Sequence, residues 1–210
     1  MKSKYHTEIT WKVLKDYFTK KPLKVIIWSN IKQDRLKNQI GRDFIHFDGS
    51  AFFESFNYIN SEEAKMYQSI QAEDYPRAWA SLGHILHSWQ DFYSHSNYTQ
   101  LWLQKVKDSP PEGINHDDPD IFNHPDLQSG KNYGMFDLLA LIPGISKLVM
   151  PLMPSDSHAR MNLDSPKSGS NFIYAYHAAL KRTITVIEEI FDTLNQQEIN
   201  QDMIVRFMGN

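Results

Sequence analysis

In the stretch His84-Ile85-Leu86-His87-Ser88-Trp89-Gln90-Asp91-Phe92-Tyr93-Ser94-His95-Ser96-Asn97, three metal-binding side-chain types, His87, Asp91 and His95, recur at steps of four. Residues four apart on an α-helix lie on one face, so these three would line up along two turns. An imidazole nitrogen and a carboxylate oxygen each bind zinc at roughly 2.0–2.2 Å, so the row can serve one ion or bridge two, with Asp91 in the middle. For any single member the competing reading is a polar helix face carrying a hydrogen-bonded side chain; for the three together the metal reading is the stronger. The chain has no cysteine. It can therefore form no disulfide or thiolate site, and any transition metal must be held by His and carboxylates.

The elements that must position this row read as helices. Ile9, Thr10, Val13, Leu14 and Tyr17 recur at helical spacing from His6, and Pro22 sits where a second helix through Val25, Ile26, Ile27 and Ile31 would begin. Gly41 and Gly49 bracket a short irregular stretch, and Ser61-Glu62-Glu63 reads as a capped helix start running to about Ala72. Pro76 then opens what reads as the longest helix, through Trp79, Leu82, Ile85, Leu86, Trp89, Phe92 and Tyr93. A Pro-, Asp- and Asn-rich loop follows from about Lys107 to Gly134, then short helices broken at Pro143, a second loop over Pro151 to Ser170, and a long helix from Ile173 to Leu194. No strand pattern or repeat is evident. The expectation is an all-α, single-domain multi-helix bundle over residues 1–210, with six to eight helices and two long loops.

Composition narrows the function classes. A formal net charge of -3 argues against a dedicated nucleic-acid binder, so no stable nucleic-acid partner is expected. The first residues lack the apolar core of a signal peptide, so the chain as given reads as cytoplasmic, or as secreted if it is a processed form. The longest apolar run, Phe136 to Met153, is interrupted by Pro143, Gly144, Lys147 and Pro151 and fits a membrane span poorly. Core burial is its plain reading; peripheral contact of 136–153 with a lipid surface is the functional one.

Leu82-Gly83-x-x-x-His87-x-x-x-Asp91, followed by His95 and Asn97, resembles the core motif of the zinc-dependent phospholipase C family, most closely its Het-C-like branch, which is related in fold to fungal zinc nucleases. Matches in order extend from about Tyr5 to His177. The resemblance implies an all-helical fold holding two or three Zn2+ ions in a cleft. It assigns Asp34, His46, His87 and Asp91 to one site, His95, His158 and Asp164 to a second, and His6 with Asp91 to a third. There are two departures. Secreted bacterial members use a mature N-terminal residue about ten positions ahead of the first-helix His, whereas His6 lies five residues from Met1, and Asn162 stands where those members carry a Glu.

By the same resemblance, clustered zinc ions would polarise a phosphoryl oxygen, acidify a bound water and stabilise the leaving alkoxide. The expected activity is phosphodiester hydrolysis of phospholipase C type on a phospholipid or other phosphodiester. Asp34 is cast as ligand and as general base towards the attacking water, against the bland reading of a solvated helix-surface Asp. Asp48 is either an acceptor that orients an imidazole or a loop cap. His84 reads as a non-ligand, His116 and His124 as loop residues, and His177 as core. The competing functions are a zinc nuclease of the same fold and a non-catalytic helical binding module with a structural metal site.

Overall fold

A computed structural model of the chain describes all residues except 36, 37, 39, 40, 132, 134–143, 197 and 198. The described residues form an all-α fold, with two isolated β-bridges, Ser96 to Ser129 and Lys131 to Ser157. In chain order the α-helices are α1 (Ser3–Leu14), α2 (Lys20–Lys32), α3 (Asp43–His46), α4 (Phe52–Gln71), α5 (Tyr75–His95), α6 (Tyr98–Lys105), α7 (Pro119–Phe122), α8 (Ser146–Val149), α9 (His158–Met161), α10 (Phe172–Gln196) and α11 (Gln201–Phe207).

The centre is α5. Asp74 caps it by accepting from the Arg77 amide, Pro76 occupies its first turn, and nearly every side chain from Ala78 to His95 is buried. A helix sequestered on all sides must be surrounded, and α2, α4 and α10 enclose it while α1 lies across α2 and α10. Gly83 sets the closest approach: a Cβ there would lie 2.5 Å from the Ile26 carbonyl oxygen and 2.9 Å from the Asn30 nitrogen. The absent side chain thus lets α2 carry Asn30 and Asp34 up to the polar row of α5.

On the opposite flank an aromatic cluster fills the space between α4 and α5. Phe47 packs edge-on against Phe92 at 5.1 Å and Phe56 at 5.3 Å, and Phe92 stacks on Phe122 at 5.2 Å. Phe47 is fully buried with φ 57°, in the left-handed region. That conformation costs a non-glycine residue about 1–3 kcal/mol, which the surrounding rings must offset. The sharp turn reverses the chain directly after His46 and aims both His46 and Asp48 at α5.

The structure corrects several boundaries. Ser61 lies in the middle of α4, not at its start, because Phe52, Phe56 and Ile59 extend the apolar face a full two turns earlier. The longest helix is α10, 25 residues against 21 for α5. The supposedly irregular stretch before Gly49 contains α3, and α6 and α11 form where no helix was expected. Of the 136–153 run, residues 136–143 lie outside the described residues. In the remainder Leu148 and Leu152 are 75% and 81% exposed while Met153 is buried, so these two leucines are not core. No described helix is long and apolar enough to cross a membrane.

Candidate metal centre

The row on α5 forms as its spacing requires, and it faces inward. His87 and Asp91 are wholly buried, and Asp91 is the hub. Its Oδ2 lies 2.8 Å from His46 Nδ1 and 2.9 Å from His87 Nε2; its Oδ1 lies 3.1 Å from His6 Nε2 and 3.8 Å from His95 Nε2. His87 Nε2 is also 3.0 Å from His46 Nδ1 and 3.7 Å from Asp34 Oδ1. Tetrahedral zinc with bonds of about 2.0–2.1 Å places its ligand atoms about 3.3 Å apart, so these separations bracket what one ion needs.

Which nitrogens carry protons follows from the outer hydrogen bonds. Thr183 on α10 donates its hydroxyl proton to the Ala179 carbonyl at 2.8 Å, so towards Gln90 it can only accept. Gln90 therefore turns its amide nitrogen to Thr183, at 3.2 Å, and its oxygen to His6 Nδ1, at 2.7 Å. The same oxygen accepts from Asn30 Nδ2 at 3.1 Å, which leaves Asn30 Oδ1 to face His87 Nδ1 at 3.3 Å. Both imidazoles thus donate outward from Nδ1 and present a bare Nε2 lone pair to Asp91. A ligating His characteristically donates its other N–H to such an acceptor. His6 Nε2 makes no hydrogen bond despite full burial, and neither does His46 Nε2. A fully buried imidazole nitrogen left without a hydrogen bond next to Asp91, as at His6, is the kind of atom a bound cation would satisfy.

A second group surrounds His95. Its Nδ1 faces the His46 carbonyl at 3.0 Å and Asp48 Oδ1 at 3.1 Å, while Nε2 lies 3.4 Å from Asp164 Oδ1. His158 Nδ1 donates to the same Asp48 oxygen at 2.8 Å, and its Nε2 accepts from Asn162 Nδ2 at 3.0 Å. Asp48 is therefore the acceptor that orients two imidazoles. Asn162 also donates to Asp164 Oδ2 at 2.9 Å, so the Asn that departs from the expected Glu organises the carboxylate that reaches the site. His6, Asp34, His87 and Asp91 form one set of ligand atoms close enough to share an ion, and Asp48, His95 and His158 form another.

The α-amino group of Met1 enters between the two groups, 2.5 Å from Asp91 Oδ1, 2.9 Å from Asp164 Oδ1 and 3.2 Å from His95 Nε2. The Met1 amine and His6 reach the same cluster because α1 starts at Ser3 and points its first turn at it. Burial opposes the charge on this amine, but the carboxylates of Asp164 and Asp91 outweigh it and push the pKa up to about 11. Burial likewise opposes charge on His95, yet Asp91, Asp48 and a hydrogen bond with Asp164 push it up to about 10. For His87 burial wins over the pull of Asp91 and holds the imidazole down at about 4, so its lone pair is available at neutral pH. Burial alone would raise Asp91 and Asp164, but the Met1 ammonium and the neighbouring imidazoles hold both well below the usual carboxylate range.

All eight expected ligands, His6, Asp34, His46, His87, Asp91, His95, His158 and Asp164, are thus brought into one neighbourhood. Asn30, Gln90 and the Met1 amine are additions that sequence spacing did not single out. His84 lies outside it, bonded to Glu62 at 2.9 Å. His116 is half-buried against Thr185 rather than loosely solvated, and His177 is half-buried 3.6 Å from Glu112 rather than in the core.

No curated protein and no solved structure matches the chain. The family model of the VWA7 N-terminal domain matches residues 6–127, which include every residue of the row on α5 together with His6, Asp34, His46 and Asp48, and stop short of His158 and Asp164. With more than half of its length matched, the chain belongs to the VWA7 N-terminal domain family.

Proposed function

We propose that this chain is a metal-dependent phosphodiester hydrolase working in the manner of the zinc-dependent phospholipases C. The observation that carries the reading is the convergence of imidazole lone pairs on Asp91, with the outer nitrogens of His6 and His87 committed to amide oxygens. Zinc held there would supply Lewis acidity, drawing charge from a phosphoryl oxygen and making water a competent nucleophile near neutral pH.

The chain's own groups have separable parts in this reading. Asp91 stands between the two ligand sets and balances their charge. His46, His87 and Asp34 would complete one set; His95, Asp164 and, on giving up its hydrogen bond from Asn162, His158 would complete the other, with Asp48 beside them, and His6 faces the shared Asp91 oxygen. Asp34 accepts from Ser3 Oγ at Oδ2 and turns Oδ1 towards His87, a placement suited to a ligand or to a base that takes a proton from attacking water. The side chains of Asp34, Asp164 and His158 are 26%, 27% and 27% exposed, whereas His87 and Asp91 are sealed. The cluster is therefore partly open to solvent at these three side chains, where a substrate can reach it, which favours a catalytic over a purely structural centre. Exposed Ile145, Leu148 and Leu152 favour a phospholipid over a soluble phosphodiester, through shallow contact of the 144–153 segment with lipid.

The test is elemental analysis of protein purified without added metal, alongside a His87→Ala, Asp91→Ala double variant. Two or three zinc equivalents, lost in the variant and accompanied by hydrolysis of a phosphodiester or phospholipid, are expected. Absence of tightly bound transition metal, with unchanged stability in the variant, would sink the hydrolase reading.

A further inference from the structure

Charge is unevenly distributed along this acidic chain. Residues 1–35 hold nine Lys and Arg against three acids, whereas the remaining 175 hold thirteen against twenty-two. Six of these nine early cations lie on α1 and α2 and two more cap α1, and the two helices pack together over the core. Along α1 and its C-terminal cap, Lys4, Trp11 and Lys15 fall in one outward stripe, and on α2 so do Lys21, Lys24, Trp28 and Lys32. The two tryptophans are 51% and 50% exposed, an unusual position for so large an apolar ring.

Each tryptophan carries a cation four residues on: Lys15 Nζ lies 5.0 Å from the Trp11 ring, and Lys32 Nζ 4.1 Å from the Trp28 ring with Arg35 at 5.6 Å. The acid in the α1 stripe, Glu8, is turned to Tyr176, whose hydroxyl donates to it at 2.8 Å. Lys20, Lys21 and Lys24 line a shallow open depression at the start of α2. Amphipathic rings flanked by lysines suit the headgroup layer of a bilayer, and clustered lysines are drawn to its anionic lipids.

We propose that the outer face of α1 and α2 is a docking surface for an anionic phospholipid bilayer. The occupant follows from charge complementarity and shape. Nucleic-acid binders track a strand along a basic groove and stack bases on open rings; here the cations lie along the outside of two neighbouring helices with only a shallow depression among them, and each ring already has a cation of the chain over it. The face also leads to the site. α1 begins and α2 ends near the cluster, where Ser3 Oγ donates to the partly exposed Asp34, so docking would bring that edge of the proposed metal centre towards the headgroups. In its link to catalysis the inference rests on the hydrolase reading; as a binding surface it stands apart from it.

The experiment is co-sedimentation with phosphatidylcholine vesicles, with and without phosphatidylserine, and in parallel fluorescence-anisotropy titration of a labelled single-stranded oligonucleotide. Full-length protein is compared with Lys21→Glu/Lys24→Glu/Lys32→Glu and with Trp11→Ser/Trp28→Ser, all verified as folded by circular dichroism. Binding is expected only with phosphatidylserine and to weaken with salt. Each lost lysine should reduce it roughly fivefold, so the triple variant should bind at least about a hundredfold less. The tryptophan pair should weaken binding even at low salt. Turnover of a soluble phosphodiester should survive in both variants; its absence from every protein, with vesicle binding intact, would overturn the hydrolase reading alone. Binding indifferent to phosphatidylserine or to the lysines, or tighter capture of the oligonucleotide, would overturn the docking surface.

Discussion

Gly83 and Ile26 are joined by the absence of a side chain: the helix backbones come so close that a Cβ on one would sit 2.5 Å from the carbonyl oxygen of the other. Neither partner is a flexible tip that could yield. Gly83→Ala should therefore push α2 away from α5, lowering stability by about 2 kcal/mol or more as in other overpacked interiors. The thermal midpoint should fall by about 4–8 °C for a chain of this size. Because Asn30 rides on the displaced helix, metal affinity should fall with it, and a variant that unfolds and binds zinc like the parent would refute this account of the contact.

Gln90 is the junction from which both the His6 and Asn30 orientations are set. Gln90→Leu removes the acceptor of His6 Nδ1 and leaves Asn30 able to flip. Losses of outer hydrogen bonds to ligating histidines weaken metal binding roughly 10–100-fold, and that range is expected here for zinc measured by competition with a chelating dye. Nitrogen-15 spectra of His6 and His87 should show the mixture of tautomers that the parent protein lacks. A single tautomer with unchanged affinity would remove Gln90 from this role.

Asp48 touches only the second group, so its loss should separate the two. In Asp48→Asn, His95 and His158 lose the charged acceptor they share while the contacts of Asp91 with His6, His46 and His87 are untouched. After dialysis, elemental analysis should find one zinc equivalent fewer than in the parent, not none. Complete loss would mean that the two groups fill as a unit.

Glu62 offers a pH test away from the candidate metal centre. Burial would raise its carboxyl, but hydrogen bonds from His84 and Lys65 outweigh this and hold it down at about 2, against 4.5 for the free group. A depressed carboxyl stabilises the fold above its unfolded pKa, and that contribution drains away as pH falls from about 4.5 towards 2. Urea midpoints of the parent should drop more steeply over this window than those of Glu62→Gln, and parallel curves would rule the interaction out as a source of acid sensitivity.

Much of this was legible in the sequence where spacing alone decides geometry. The row from His87 to His95 lands on one face because the helix repeat leaves it no choice, and Gly83 within the same motif turns out to mark the closest helix approach. His6, Asp34, His46, His158 and Asp164 came from resemblance, since no local period links residues on separate elements. Asn30 and Gln90 were missed for a physical reason: an amide at a helical position looks the same whether it meets water or an imidazole, and only the packing of neighbouring helices distinguishes the two. The false start at Ser61 has a similar cause, for a Ser-Glu-Glu triplet is a good cap only if the apolar face does not already extend before it, and Phe52 to Ile59 extend it.

The order of ligands along the chain has a further consequence for how the protein comes off the ribosome. Synthesis delivers His6, Asp34, His46, His87 and Asp91 first, all within the matched 6–127 region, whereas His158 arrives some sixty residues after His95. The nascent chain thus holds one complete ligand set well before the other exists, and before α10 arrives to enclose α5. Until α10 arrives the first ligands of the proposed centre lie open to solvent, so a metal ion would have its widest access to them before the fold closes over α5.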